Sequence, residues 1–350
     1  VPAPGLAVVL VTYDSAAFLS QTLAALAPQL RQDDELLVVD NASHDDTVAL
    51  ARAAGATVVE TGANLGFAGG CNTGARATQA PLLLFLNPDA APAPGCVDAL
   101  RAGAAAHPDW GAWQALVTLP GRERVNTSGG VTHFLGFSWA GACDEPVRAC
   151  PDGEVGFASG AALVVRRSAW EEVGGFDDAY FMYMEDVDLS LRLRLAGYGV
   201  GITTGAVVEH DYEFSRGARK WQLLERNRWR TVLRVYPAAL LVPLLPALLA
   251  TEIALLPVAA RGGWLGAKLR AQAEVVRALP SLLRARRDVQ RRRRVTAAAF
   301  AAWLTAELDS PYLAEARRAA PLVWLQRTWW SLMLRALGHR RDAPGARPRR

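Results

Sequence analysis

The sequence predicts an α/β protein, a doubly wound and mainly parallel sheet followed by a basic helical C-terminal region. Three observations carry this. Short apolar runs alternate with amphipathic helical patterns from Leu6 to Leu86. The strand runs are apolar on both faces, as strands are when helices cover a parallel sheet from each side. The overall charge of +4 also hides a division: residues 1–210 carry 11 Lys and Arg against 24 Asp and Glu, and residues 211–350 carry 27 against 10. An acidic globular part and a basic part suit different surroundings, the second one anionic lipid or nucleic acid.

Leu6–Val11 reads as the first strand; it is too short, and meets Tyr13 and Asp14 too soon, for a signal peptide. A helix follows over 16–30 with Ser15 as its N-cap. Glu35–Val39 is a second strand, 45–54 a helix, and Thr57–Glu60 a third strand. A glycine-rich turn, Gly66–Gly70, opens a helix reaching Thr78, and Leu82–Leu86 is a fourth strand. The pattern loosens over 110–160. Ala161–Val165 is then a strand, Met184–Ala196 a helix with Gly197 beyond its end, and Val207–His210 a strand end. These boundaries divide the chain into an α/β domain over 1–220, a helical region over 221–339 and a disordered tail over 340–350. An apolar content of 51% excludes a disordered chain. Cys71, Cys96, Cys143 and Cys150 form no CxxC pair, which argues against zinc; they read as buried free thiols of a reducing compartment.

In open α/β sheets ligands bind at the carboxyl ends of the parallel strands. Here those ends are polar one after another: Thr12-Tyr13-Asp14, Asp40-Asn41, Asn64 after the third strand, and Asn87-Pro88-Asp89. Each alone is an ordinary turn or cap. Together they suit a nucleotide, with one carboxylate left for a cation beside a diphosphate. The glycines after Asn64 permit close backbone approach, and the helix start there favours an anion. No P-loop is present, and "NLGFAGGCNTGA" lacks the dinucleotide fingerprint. Glu185, Asp186 and Asp188 open a helix, where capping explains one or two of them. Asp186, at the edge of a strongly apolar helix, is a candidate general base. His210 is a candidate metal ligand.

With these residues assembled, the chain resembles the family 2 glycosyltransferases of GT-A fold, most closely the bacterial rhamnosyltransferase branch. The resemblance runs from Leu6 to about Pro237 through "VVLVTYDSAAFL", "LLVVDNASHDDT", "NLGFAGGCNTGA", "LLFLNPDA", "GFASGAALVVRRSAWEEVGGFDDAYFMYMEDVDLSLRLRLAGY" and "VVEHDYEFSRG". It implies a GT-A nucleotide-sugar-binding domain over 1–220. Thr12, Tyr13 and Asp40 would hold base and ribose, with Asp14, Asn41, Asn64, Gly66 and Asn87 beside the donor. Asp89 would be the remaining carboxylate of the Asp-x-Asp metal motif, whose first position here is Asn87. His210 matches the added ligand of a Mg2+ or Mn2+ ion. Asp186 matches the general base; Gly160, Ala161 and Glu185 line the acceptor side, and Arg216, Arg219 and Lys220 are candidates for a diphosphate. The implied reaction is one in-line displacement with inversion. The implied donor is dTDP-L-rhamnose ahead of UDP-sugars, and the implied acceptor a lipid-linked saccharide of cell-envelope polysaccharide synthesis.

Pro237–Ala260 is long enough to cross a bilayer, but Pro243, Pro246 and Pro257 are expected to bend or break it. Basic residues flank it on both sides, from Arg226 to Arg234 and from Arg261 to Arg270, which argues against a single crossing. A re-entrant hairpin or an interfacial helix pair fits better, on the cytoplasmic face of the plasma membrane. The cluster Arg284–Arg294 and Trp303, Trp324, Trp329 and Trp330 read as headgroup anchors. Two other readings stay open: a synthase joining a sugar to polyprenyl phosphate, and a nucleic-acid-binding protein using Arg291–Arg294 and the tryptophans. The second leaves the acidic rim unexplained, so no nucleic-acid partner is expected.

Overall fold

The computed structural model describes residues 5–211, 217–308 and 320–338, which fall into two compact units. The first takes residues 5–130, 140–193 and 198–211, and the second takes 131–139, 194–197 and the described residues from 217 onward. The expected tail at 340–350 lies outside the described residues.

The first unit is built on β1 (Leu6–Thr12), β2 (Glu35–Asp40), β3 (Thr57–Glu60) and β4 (Leu82–Leu86), parallel neighbours in the order β3-β2-β1-β4. Every residue of β1 and β4 is buried. Full burial of each Val or Leu is worth about 1.5–3 kcal/mol, which holds this centre together. Helix α1 (Ala16–Leu26) ends earlier than expected, because Pro28 turns the chain into a 3-10 turn at Ala27–Gln29. Its start is capped from outside: Ser15 Oγ bonds back to Tyr13, and Asp45 Oδ2 accepts the Ala16 N–H at 3.0 Å. Helix α2 (Thr47–Ala53) follows β2. Helix α3 (Gly66–Arg76) absorbs the glycine-rich segment expected as a turn. A Cβ at Gly70 would meet Val11 Cγ1 at 2.5 Å and one at Gly74 would meet Val9 Cγ1 at 2.3 Å. These glycines let a helix lie directly on β1, a packing role.

Past β4 come β5 (Ala90–Pro92), α4 (Cys96–Ala106), β6 (Trp110–Thr118), β7 (Val125–Thr127), β8 (Gly130–His133), β9 (Ser138–Ala140), β10 (Gly153–Glu154), β11 (Ala162–Arg166), α5 (Arg167–Val173), α6 (Glu185–Leu195) and β12 (Gly199–His210). The sheet becomes mixed here. β11 is antiparallel to both β4 and β6, and β12 runs parallel to β6, giving the path β10-β12-β6-β11-β4-β1-β2-β3. β12 is three times longer than the expected Val207–His210. Its first half escaped the pattern because Gly199 and Gly201 lie under Trp110, whose ring leaves no room for a side chain at either position. All four cysteines are free; Cys71 and Cys96 are buried, whereas Cys143 and Cys150 are only half-buried.

The second unit holds α7 (Ala218–Val235), α8 (Ala238–Arg261), α9 (Leu265–Arg291), α10 (Ala297–Ala301), β13 (Leu304–Thr305) and α11 (Ala320–Ala336), with a small sheet in the order β13-β8-β9. The prolines do not break α8. Each removes one backbone bond, and the chain stays helical through all three, so the expected hairpin is one helix of 24 residues. Of the expected headgroup anchors, most arginines of 284–294 and Trp324 and Trp329 are exposed, whereas other cations and two tryptophans are engaged within the unit. Arg228, Arg230, Arg234 and Lys268 are buried; Trp330 is buried and stacked on Phe134 at 5.0 Å, and the Arg194 guanidinium covers Trp303. Lys268 Nζ bonds Glu225 at 2.5 Å and Glu252 at 2.6 Å, and Glu252 also pairs with Arg228. This buried network joins α7, α8 and α9.

The Gly74→Ala substitution is expected to destabilise the protein by about 1–3 kcal/mol, because the methyl group overpacks the α3–β1 contact. Urea unfolding measures this, and an unchanged midpoint would refute the packing role.

Candidate active site

The carboxyl ends of the parallel strands set one side of the site. Thr12 faces Asp40 across the β1–β2 register, and its Oγ1 donates to Asp40 Oδ1 at 3.1 Å. Ser43 adds two bonds to the same carboxylate, from its N–H at 2.9 Å and its hydroxyl at 2.5 Å. Asp40 is 2% exposed. It therefore organises the β2 loop from within, while Tyr13 and Asp14 occupy the open side. Asp14 has a φ of 47° and accepts the His44 N–H at 2.6 Å, and Tyr13 meets the His44 ring edge-on.

Two expected donor contacts are structural. Asn41 is buried, and its amide nitrogen donates to Gly66 O at 3.0 Å, which ties the end of β2 to the start of α3. The N-terminus of α3 is likewise not an open anion site. Asn64 Oδ1 takes the Gly66 N–H at 2.9 Å and Phe181 O takes the Ala68 N–H at 3.1 Å. Gly66, with a φ of 72°, lies so close to Phe181 that a Cβ would stand 2.3 Å from its carbonyl oxygen.

Backbone pairing brings in the next pair. β5 runs antiparallel to the end of β12, with Ala90 opposite His210. That register sets His210 Nε2 at 3.1 Å from Asp89 Oδ1 and 3.5 Å from the Asn87 amide nitrogen. Asn126 donates to the His210 carbonyl at 3.2 Å and holds the strand end in place. Among the described residues no group of three or more His, Cys, Asp or Glu could hold a metal ion. The donors here fit a hard cation that shares its coordination with phosphate oxygens: one carboxylate, one imidazole and an amide whose oxygen and nitrogen are interchangeable by a flip.

Asp186 is tied to Asn87 through the backbone of Gly160 and Ala161. Asn87 N–H donates to Ala161 O at 3.0 Å, and Gly160 N–H donates to Asp186 Oδ2 at 3.0 Å. Buried Gln114 and Ser190 fix this loop by accepting the Ser159 and Ala158 N–H groups at 2.7 and 3.1 Å. Gly160 and Ala161, expected on the acceptor side, thus act through their backbones to connect Asp186 with Asn87. Val187 N–H gives Asp186 Oδ1 a second bond at 2.8 Å. Burial raises the Asp186 pKa above the usual carboxylate range, and the two N–H groups limit the rise.

Its neighbours in the same turn differ. Asp188 is fully buried, bonded to Tyr180 at 3.0 Å and paired with Arg192 at 2.7 Å. Glu185, expected to meet the acceptor, is only 6% exposed, and its Oε2 has no hydrogen-bond partner. Burial first, then the Asp186 charge, pushes its carboxyl well above the ordinary range and favours its protonated form. The chain enters α6 through a strained segment. Phe181 (φ 64°, ψ −66°) centres a γ-turn closed by Met182 N–H to Tyr180 O at 2.8 Å, and Tyr183 and Met184 also have positive φ. Nothing in the residue types announces this turn. Ser43, three residues after Asp40, was legible as a side-chain turn but was missed. Arg219 and Lys220 open α7 in the second unit, where burial lowers the Lys220 pKa to about 8; Arg216 lies outside the described residues.

A mixed α/β sheet with polar groups at its strand ends and a carboxylate at the start of α6 suits group transfer, and comparison with known proteins gives the class. Residues 7–174 match the family model described as glycosyl transferase family 2. The chain is 34% identical over 238 residues, 61% of its length and 78% of the relative's, to the N-acetylglucosaminyl-diphospho-decaprenol L-rhamnosyltransferase of Mycobacterium tuberculosis. Among solved structures, S. aureus TarS 1-349 in complex with UDP superimposes with a TM-score of 0.52 at 15% identity, covering 97% of this chain and 94% of that one. GalNAc-T7 with UDP, GalNAc and Mn2+ does so with a TM-score of 0.56 at 14% identity, covering 68% of this chain and 49% of that one. The structural likenesses bear on the fold, which is GT-A-like. The enzyme is a glycosyltransferase. It belongs to glycosyl transferase family 2.

Glu185→Gln is expected to raise stability progressively above pH 5. A buried carboxyl with a raised pKa holds its proton in the folded state after the unfolded chain has lost it. Stability then falls by about 1.4 kcal/mol per pH unit between the unfolded and folded pKa values. Gln does not titrate, so its melting temperature should gain on that of Glu185 as pH rises. A constant difference from pH 4 to pH 8 would show Glu185 ionising normally.

Proposed function

We propose that this enzyme transfers L-rhamnose from dTDP-rhamnose to a lipid-linked, diphosphate-bearing saccharide, with inversion, in cell-envelope polysaccharide synthesis at the cytoplasmic face of the plasma membrane. The observation that carries the reaction type is Asp186, fixed by two backbone N–H groups, one of them from Gly160, whose neighbour Ala161 accepts the Asn87 N–H. Donor and acceptor follow the mycobacterial rhamnosyltransferase, by the words of its name and its 34% identity. The nucleic-acid reading would use Arg291–Arg294, which are exposed, but it gives no role to Asp40, Asp89, Asp186 and His210.

In this reading Asp186 accepts the proton of the acceptor hydroxyl as that oxygen bonds to the anomeric carbon. The bond from that carbon to the diphosphate oxygen breaks, and the nucleoside diphosphate leaves on the opposite face, so a single displacement inverts the centre. Asp89 and His210 would hold a divalent cation, with the Asn87 amide oxygen as a further donor, and the cation would neutralise charge on the leaving diphosphate. Tyr13 presents an open ring to the base, and Thr12 and Asp40 shape the loop beneath it. The raised pKa suits Asp186 to its role: a base is more effective as its pKa approaches the working pH.

Asp186→Asn is expected to lower kcat by about 10²–10⁴-fold while leaving the donor Kd within about twofold. Transfer assays and calorimetry with the nucleotide sugar separate the two, and equal loss of both would make Asp186 a structural cap. In the wild type, the rate should fall as acid protonates Asp186, at a pH above the ordinary aspartate range. Asp89→Asn and His210→Ala should each raise the Mn2+ or Mg2+ concentration for half-maximal rate by about tenfold or more. An unchanged metal requirement would remove these two residues from the cation site.

A further inference from the structure

The second unit exposes an apolar surface of unusual extent. From Ala238 to Ala260 every exposed residue of α8 is Ala, Val, Leu, Ile or Pro. Val242, Leu245, Leu249 and Ile253 recur every three or four residues and so form one ridge. Ile253 is 69% exposed. At 1.5 Å per residue the bare strip is roughly 35 Å long. Isolated exposed apolar residues are commonplace, but a continuous strip of this length marks an interaction surface.

The only charge of α8 before Arg261, Glu252, points the other way. It lies on the buried face with Leu244 and Leu248, bonded to Lys268 of α9 and Arg228 of α7. Helix α9 repeats a two-residue pattern at intervals of seven: Leu269-Arg270, Val276-Arg277 and Leu283-Arg284, all exposed. Adjacent helix positions stand about 100° apart, so an arginine row runs beside an apolar row along the whole helix. Arginines beside an apolar stripe are placed as in helices that lie in a membrane interface.

We infer that α8 and α9 lie in the plane of an anionic bilayer surface, with the α8 ridge sunk among the acyl chains, the α9 arginines on lipid phosphates, and no crossing by α8. This deepens the membrane part of the function proposed above and is independent of donor and acceptor. Crossing is opposed by Glu252. Drawing α8 through hydrocarbon would separate that carboxylate from Lys268 and Arg228 and leave charges buried without partners. A second copy of the chain is a poorer occupant than lipid. An isologous contact would bring arginine rows together, and the exposed α8 face carries no carboxylate to meet them.

The test is flotation of the full-length protein with phosphatidylglycerol–phosphatidylcholine vesicles and with phosphatidylcholine vesicles alone, at low and high salt. The wild type should float with the anionic vesicles, less so at high salt. The L249E/I253E double variant and the R270Q/R277Q/R284Q triple variant should each lose at least tenfold in partitioning, with melting curves confirming that both fold. Depth is read from spin labels at Val242→Cys, Leu249→Cys and Leu256→Cys, which share one face at intervals of seven, in a Cys143→Ser, Cys150→Ser background. An in-plane helix gives three similar, shallow depths. A depth maximum at Leu249 would mean that α8 crosses and would overturn the inference. So would failure of the wild type to float, or a solution dimer that the L249E/I253E variant abolishes. Sugar transfer to a soluble acceptor analogue without vesicle binding would sink this inference and leave the glycosyltransferase reading intact.

Discussion

The hydrogen bond from Gly160 N–H to Asp186 Oδ2 is the constraint on which the catalytic unit turns. Through it the first turn of α6 is fixed to the segment entering β11, and through Ala161 O to Asn87 N that segment is fixed to the end of β4. β4 is antiparallel to β11 and parallel to β1, so the rim built on Thr12, Asp40 and Asn87 and the carboxylate on α6 belong to one hydrogen-bonded frame. Backbone donors suit this task because they cannot swing away as a side chain can. They favour the charged carboxylate, and desolvation disfavours it. The result is a base whose pKa is raised by burial and held back by the backbone donors.

Three carboxylates in one helical turn illustrate how environment divides a run of like residues into different roles. Asp188 is neutralised by Arg192, which also donates to the carbonyls of Val173 and Gly175, so this pair anchors α6 to the preceding loop. Glu185 is buried without a cation, which favours its protonated form. Two adjacent anions in one desolvated site would repel each other, so a neutral Glu185 leaves the negative charge on Asp186 alone. The strained Phe181–Met184 approach is what turns these side chains in different directions, and Gly66 is the residue whose missing side chain makes space for it.

Much of this was legible in the sequence, and the parts that were not share a cause. β1 and β4 are the runs "LAVVLVT" and "LLLFL", buried throughout because both faces are covered, and such runs state their own conformation. Asp89 and His210 were legible separately; their 3.1 Å approach was not, because it depends on β5 pairing with β12 across more than a hundred residues. The glycines of α3 misled for the opposite reason. Glycine signals a turn when read locally, but here Gly70 and Gly74 answer to Val11 and Val9, a tertiary demand that overrides helix propensity. Asn41 has a structural tie that its residue type does not announce, the bond from its amide nitrogen to Gly66 O.

Glu252 and Glu185 make the last comparison. Both are buried carboxylates, and residue type alone gives them the same meaning. Burial alone would raise the Glu252 pKa, but Arg228 and Lys268 outweigh it and pull the carboxyl below its ordinary value, so it is an anion. Glu185 has no such partners and is driven the other way. One holds three helices together and thereby decides which side of α8 faces outward; the other withholds a charge beside the catalytic base. Composition announced an apolar helix and an acidic helix start. What each does follows from a single question of pairing, and only the folded chain answers it.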